Sequence, residues 1–342
     1  MSDAPAAVDA SGGLPGDTLE ALGEAATLAR IFPRLPSGTL TELGPGDDAA
    51  VVTAPDGRYV VTTDMMIHGP DFRLAWSTGS DLGWKAAASN LADIAAMGAV
   101  PTAIVVALAA PGSTPISLLE QFADGLREAC AALAPAVGVV GGDLSVSRTL
   151  TIAVTAFGDL EGRAPVLRSG ARLGDIVAVS GNLGLAAEGL RLLFELGVVD
   201  GAPDAAAAAR LRNEHPLPIA AQLRPSPPIA DGPAAAVAGA TSMLDVSDGL
   251  AIDARRIASA SGVAIDLTSA SIGQPGAIVQ RSALDGGEDH ALLATFSPAT
   301  VMPGGFRQIG TVVAGVGVLV DGTPYVERGG WDPFAGWNGG VG

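Results

Sequence analysis

The chain has 342 residues, 48% of them hydrophobic and only 4% aromatic, with 46 glycines and 36 acids against 19 Lys plus Arg. That length supports a sizeable core and suits two domains better than one, and the composition is that of an Ala/Val/Gly-rich α/β protein with many tight turns rather than a disordered chain. A formal net charge of -17 argues against nucleic acid or an anionic membrane as partner, and it repels a phosphorylated ligand unless cations accompany it.

The first fifteen residues, "MSDAPAAVDASGGLP", lack the basic and apolar regions of a secretory leader. No uninterrupted apolar run approaches the ~20 residues that span a bilayer. The expected location is the cytoplasm, with residues 1–19 as a flexible tail. From residue 49 short β-like runs alternate with helical ones. "AAVVTA" and "YVVTTD" read as paired strands joined by the turn "PDGR". "SDLGWKAAASNLADIAAMGAV" reads as a helix with Ser80 or Asp81 as N-cap and Gly98 as its stop. Next come a buried strand "TAIVVALAAP", an amphipathic helix "SLLEQFADGLREACAAL", and strands "VGVVGGD" and "TLTIAVTAFGDL". Cys130, the single cysteine, lies in that second helix; it excludes an internal disulfide and reads as a buried small residue of a reducing compartment.

At "GRAPVLRSGARLGD" the apolar pattern breaks, and a domain boundary is expected near residue 160. The second unit opens with a strand "DIVAVSG" and a helix from about Leu185 to Leu196. A Pro-punctuated, alanine-rich stretch of helix and connector follows, then "SMLDVSDGLAIDARRIASASG", strands "VAIDL" and "ALLATF", and a β-rich tail. The expected fold is therefore α/β in two units, 20–160 and 161–342, with sites at strand ends.

The acids repeat one pattern. Asp47 and Asp48 follow a glycine turn in "GPGDDAAVV", Asp64 closes "VVTTD", Asp143 closes "VGVVGGD", Asp245 and Asp248 flank "DVSDGL", and Glu288 and Asp289 follow two glycines in "DGGED". Each alone is explained by a solvated turn. Together they resemble a cluster of hard oxygen donors of the kind that shares Mg²⁺ with a substrate's phosphates, which would reconcile the acidic chain with a phosphorylated ligand. Asp93 is the most informative, because it shares a helix face with Ala86, Asn90 and Met97 in a segment that must be largely buried, with only Lys85 as a nearby cation. Its alternatives are a metal ligand or a structural acid paired with Lys85 or backbone N–H groups. The glycines beside the acids allow backbone N–H groups close to phosphate oxygens. The implied chemistry is phosphoryl transfer or ATP use. No P-loop, protein-kinase set or strand–GxGxxG–helix unit is present, and the scattered His68, His215 and His290 favour neither a zinc site nor a Ser–His–Asp triad.

The ordered string "GPGDDAAV", "VTTD", "KAAASNLADIAAMGA", "GGD", "RSGARLGD", "SMLDVSDGL", "ALDGGED" and "GWDPF" resembles the thiamine-monophosphate kinase family over roughly residues 20 to 336. That family sits in the superfamily of aminoimidazole ribonucleotide synthetase and selenophosphate synthetase. The resemblance implies a two-domain synthetase-like fold of mixed sheets. Its N-terminal ATP- and metal-binding domains would join their sheets into the barrel of a homodimer, and the C-terminal domain would close the cleft. It implies direct in-line transfer of the γ-phosphoryl of ATP to thiamine monophosphate, with several Mg²⁺ ions and a possible monovalent cation. By motif match, Asp48, Thr62, Thr63, Asp64, Asp93, Asp143, Asp245 and Asp248 correspond to the metal set, with Asp47 supporting Asp48. Gly142, Asp143, Arg168 and Ser247 correspond to ATP contacts, with Asp64, Asp143 and Arg168 closest to the chemistry.

On the acceptor side the resemblance assigns Asp71, Glu288 and Trp331, the tryptophan covering a cationic thiazolium. The chain departs from the family there. Met65 stands where Thr is usual, Asp71 where a substrate-binding His is usual, His290-Ala291 for Tyr-Glu, Pro228 for Arg, and Pro333 for His. None removes an expected metal ligand, so the phosphotransfer reading is firmer than the acceptor. Two other readings stay open: a related ATP-dependent synthetase acting on another small acceptor, and a non-catalytic paralogue that binds nucleotide or thiamine phosphates.

Overall fold

The computed structural model describes residues 18–45, 49–272, 280–327 and 329–330. It is a mixed α/β structure built on a four-stranded and a seven-stranded sheet. In the smaller sheet the strands run in the order Val60–Ile67, Thr151–Asp159, Val100–Ala110, Gly138–Val146. The last two pair in parallel and the other neighbours antiparallel. The expected hairpin between "AAVVTA" and "YVVTTD" does not form. Val51–Val52 pairs with Thr41–Leu43 instead, while Val60–Ile67 takes an eight-residue register against the distant strand Thr151–Asp159. A long antiparallel ladder that buries one face outweighs a local turn between a two-residue strand and its neighbour.

Two helices, Gly79–Ala96 and Ile116–Leu133, cover one face of this sheet. The N-cap of the first is Thr78 rather than Ser80 or Asp81. Thr78 accepts from the Asp81 N–H while the Asp81 carboxylate accepts from the Thr78 N–H, a reciprocal capping box that places Asp81 in the first turn. The pair crosses closely: a Cβ on Gly83 would lie 2.0 Å from the Phe122 carbonyl oxygen, so only glycine fits there. Cys130, on the second of these helices, is buried in the core, as expected.

The seven-stranded sheet runs Ser242–Val246, Ala291–Phe296, Ile176–Ser180, Arg307–Val313, Ala264–Leu267, Gly317–Val320, Thr323–Pro324. All neighbours are antiparallel except Ala264–Leu267 with Gly317–Val320. Ser242–Val246 and Ala291–Phe296 are buried at every residue, Ser242, Asp245 and Thr295 included, because elements cover the two faces. One of those elements is Gly79–Ala96 itself. Its core partners include Met243, Leu292, Ala294 and Phe296 as well as the smaller sheet, so the helix lies between the two sheets and is buried almost all round. This position carries Asp93 into the interior. Among the described residues, no helix is long and apolar enough to cross a membrane.

Candidate active site

The buried helix presents Lys85, Ala86, Ser89, Asn90 and Asp93 to a cavity of about 380 Å³. The spacing of four from Lys85 to Ser89 and from Ser89 to Asp93 puts them on one face. The smaller sheet contributes Asp64, Met65, Met66, Ile152 and Val154, and the loop after its first strand contributes Asp71. From the larger sheet and its loops come Asp245, Ser247, Asp248, Glu288 and His290. Acids that are widely separated in sequence thus face one another across the junction of the two sheets. Neither Asp64 nor Asp245 closes its strand: Asp64 lies inside Val60–Ile67 and Asp245 inside Ser242–Val246.

The fixing bonds are specific. Thr62 Oγ1 donates to Asp93 Oδ2 at 2.8 Å, and Asn90 Oδ1 accepts from the Asp64 N–H at 3.2 Å. Asp93 is therefore held by Thr62, while Lys85 pairs with Glu288 at 2.6 Å instead. Burial first, then the charges of Asp245 and Asp64, push Asp93 up to about 7, against the opposing bond from Thr62. Burial raises Asp64 too, joined by Asp245, Glu288 and Asp248 and partly opposed by His290. His290, buried, puts Nδ1 3.2 Å from Asp245 Oδ2 and Nε2 3.1 Å from Ser89 Oγ. Burial alone would lower its pKa, but the bond and charge of Asp245 and the charge of Glu288 raise it. Arg256 bridges Asp248 and the buried Asp253 at 2.6 and 2.5 Å, and Asp253 also accepts from the N–H groups of Asp248 and Gly249. Glu288 and His290 both adopt positive φ, 72° and 51°, a costly conformation for residues other than glycine and one that concentrates at functional sites.

An all-oxygen set of Asp64, Asp93, Asp245, Asp248, Asn90 and Thr62 suits Mg²⁺, and burial together with mutual repulsion among the acids raises Asp64 and Asp93. Among the described residues, no three His, Cys, Asp or Glu side chains are close enough to form a metal site by themselves.

Other expected residues lie elsewhere. Gly142 and Asp143, inside the strand Gly138–Val146, line a separate and mostly apolar cavity of about 600 Å³ with Ile31, Phe32, Leu126 and Val139. Gly142 is also demanded by packing, since a Cβ there would lie 2.0 Å from the Val106 carbonyl oxygen. Thr63 faces away from the acid cavity, donating to the Val154 carbonyl at 2.9 Å and accepting from Thr155 Oγ1 at 3.0 Å. Arg168 lines a shallow groove with Arg255 and Arg256. Asp71 lines the acid cavity but spends one oxygen on the Ile67 N–H, 2.7 Å away, closing its own turn. Asp47, Asp48 and Trp331 fall outside the described residues. The pairings of Lys85 and His290 were not anticipated. Their partners are distant in sequence, and only the helical spacing of Lys85, Ser89 and Asp93 signalled a shared face.

Residues 46–160 match the family model described as AIR synthase related protein, N-terminal domain. Thiamine-monophosphate kinase of Mycobacterium tuberculosis (strain CDC 1551 / Oshkosh) is 45% identical over 329 residues, covering 93% of this chain and 93% of its own. The chain belongs to the thiamine-monophosphate kinase family. The Corynebacterium glutamicum thiamine-monophosphate kinase is 39% identical, covering 87% of this chain and 88% of its own. Among solved structures, thiamine monophosphate kinase from Aquifex aeolicus superposes with a TM-score of 0.68 at 32% identity, covering 90% of this chain and 99% of that one. AaThiL complexed with AMPPCP and TMP gives 0.67 at 32% identity, with 90% and 96% covered. The mixed α/β architecture is thus that of the thiamine-monophosphate kinases.

Proposed function

We propose that the chain is a thiamine-phosphate kinase: an oxygen of the thiamine monophosphate phosphate bonds to the γ-phosphorus of ATP as the β–γ bridging bond breaks, giving thiamine diphosphate and ADP. The observation that carries this reading is the acid cavity, in a chain 45% identical to a named thiamine-monophosphate kinase over 93% of its length. Asp64 and Asp93 oppose Asp245 and Asp248 there, and an ATP analogue with TMP is present in a related complex. Magnesium held by Asp48, Thr62, Asp64, Asp93, Asp245 and Asp248 would supply charge neutralisation between the two anionic substrates. The protein's own part is alignment: phosphoryl transfer asks for positioning and a prepared field rather than a strong base. Glu288 faces the cationic acceptor, with Trp331 assigned to cover its thiazolium ring. Ser247 and Arg168 are assigned to the nucleotide.

The finer organisation is part of the same proposal. Thr18 and Leu19 belong to the folded body rather than to the expected tail, Thr18 capping the helix Leu19–Leu22 and Leu19 being buried, and an N-terminal domain to 160 is followed by a C-terminal domain from 161. The outer face of the four-stranded sheet exposes Val61 at 56% and Met65 at 58%, an apolar surface suited to a second copy of the chain. Asp64 and Asp143 lie on opposite edge strands with two strands between them, about 14 Å at ~4.8 Å per strand. A homodimer whose sheets meet edge to edge would bring Asp143 of one copy to Asp64 of the other and place the apolar cavity beside Gly142 at the nucleoside end of the same site.

Release of ADP from ATP should require both thiamine monophosphate and Mg²⁺. Chelation with EDTA should abolish it and added Mg²⁺ restore it. ADP release that ignores the acceptor, or survives chelation, would contradict this function.

A further inference from the structure

Lys85 is nearly enclosed, its side chain 8% exposed, yet it lines the acid cavity. An ammonium has three donors and no acceptor. One reaches Glu288 Oε2 at 2.6 Å and one the Gln222 backbone carbonyl at 3.2 Å. The Gln222 amide, oriented so that its nitrogen donates to the Ala186 carbonyl at 3.0 Å, turns its oxygen to Lys85 at 3.2 Å. Two bonds to one residue of the helix Pro216–Leu223 therefore anchor the ammonium, and the third is aimed at Glu288. With its donors engaged this way, Lys85 is not arranged to seize a phosphate. Glu288 differs: its side chain is 42% exposed, it lines the cavity, and its backbone is held at φ 72°. The other acid at this end, Asp71, is engaged by the Ile67 N–H.

We propose that Lys85 is a positioning residue for the acceptor: tethered by Gln222, it fixes the Glu288 carboxylate in the orientation that receives the cationic ring system of thiamine monophosphate. The inference rests on the kinase reading above and assigns a role to a residue that does not itself touch the reacting atoms. A plain strut between the two halves of the molecule would have the same bond but not the same kinetic consequence. Losing Lys85 frees Glu288 to rotate out of the receiving orientation, which weakens recognition of the acceptor while leaving the nucleotide's contacts intact.

The test compares Lys85→Met, Lys85→Arg, Glu288→Gln and the Lys85→Met/Glu288→Gln double variant, with melting temperature recorded for each. Lys85→Met should raise the KM for thiamine monophosphate at least about tenfold and leave the KM for ATP within about twofold. Lys85→Arg, still able to reach Glu288, should recover most of the loss. The double variant should be no worse than Glu288→Gln alone, because both remove one interaction. Equal rises in both KM values, full additivity of the two substitutions, or a lower melting temperature with unchanged KM would overturn the role. Should Lys85→Met fail to fold, Lys85→Gln gives the same comparison. A wild-type protein inert toward thiamine monophosphate overturns the kinase reading itself, whereas an active wild type with an unaltered Lys85→Met KM overturns only the role of Lys85.

Discussion

Asp64→Asn and Asp143→Asn proteins, each inactive alone, should regain up to about a quarter of wild-type turnover when co-expressed and purified together. The fraction follows from a two-fold dimer with composite sites. Random assembly makes half of the dimers mixed, and each mixed dimer carries one site with both substitutions and one with neither. The argument rests on sheet geometry. Asp64 sits on the edge strand Val60–Ile67 and Asp143 on the opposite edge strand Gly138–Val146, and the two line different cavities of one copy. Each substitution alone removes a carboxylate from every site, and a lost phosphate-aligning charge costs ~10²-fold or more in turnover. Differently tagged subunits allow the mixed dimer to be isolated. A mixed dimer as inactive as its parents would show that the two acids do not serve one site across the interface.

Asp93→Asn should separate stability from function. Burial, with the charges of Asp245 and Asp64, raises the Asp93 carboxyl from the ordinary carboxylate range near 3.8 to about 7, so between those pH values the folded chain binds a proton that the unfolded chain has released. Stability from this group is then lost as pH rises from about 4 to about 7, and at pH 8 the metal-free protein carries a buried carboxylate costing on the order of 4 kcal/mol. Asparagine keeps an oxygen for the Thr62 hydroxyl and removes the charge. The metal-free variant at pH 8 should melt about 3 °C or more above wild type. It should gain little from added Mg²⁺ and turn over at least ~100-fold more slowly. A variant that melts lower, or keeps near-normal kcat at saturating Mg²⁺, would remove Asp93 from the assigned set.

Much of this was legible in the chain. The helix containing Asp93 announced itself by its alanine spacing, and its burial followed from that composition. Asp64 of "VTTD", Asp245 and Asp248 of "DVSDGL" and Glu288 of "DGGED" do line one cavity, whereas Asp289 caps the backbone N–H groups of Gly184 and Ala186. Sheet register was not legible. "VVTTD" and "VGVVGGD" look alike in sequence, yet two intervening strands put their acids on opposite edges. Pairing partners were equally hidden, since Val51–Val52 turned back to Thr41–Leu43 instead of forward across its turn. Lys85 and Glu288 meet only because the helix lies between both sheets, a fact of tertiary packing that no local pattern records. His290 read as a departure from a motif, whereas its position between Asp245 and Ser89 ties the two halves of the cavity together.

The most direct measurement is the fate of the γ-phosphorus. ATP labelled at the γ position, incubated with the protein, Mg²⁺ and thiamine monophosphate, should deliver its label to thiamine diphosphate in step with ADP. Label found only in inorganic phosphate, or retained in ATP, would contradict the assignment of this chain as a thiamine-phosphate kinase.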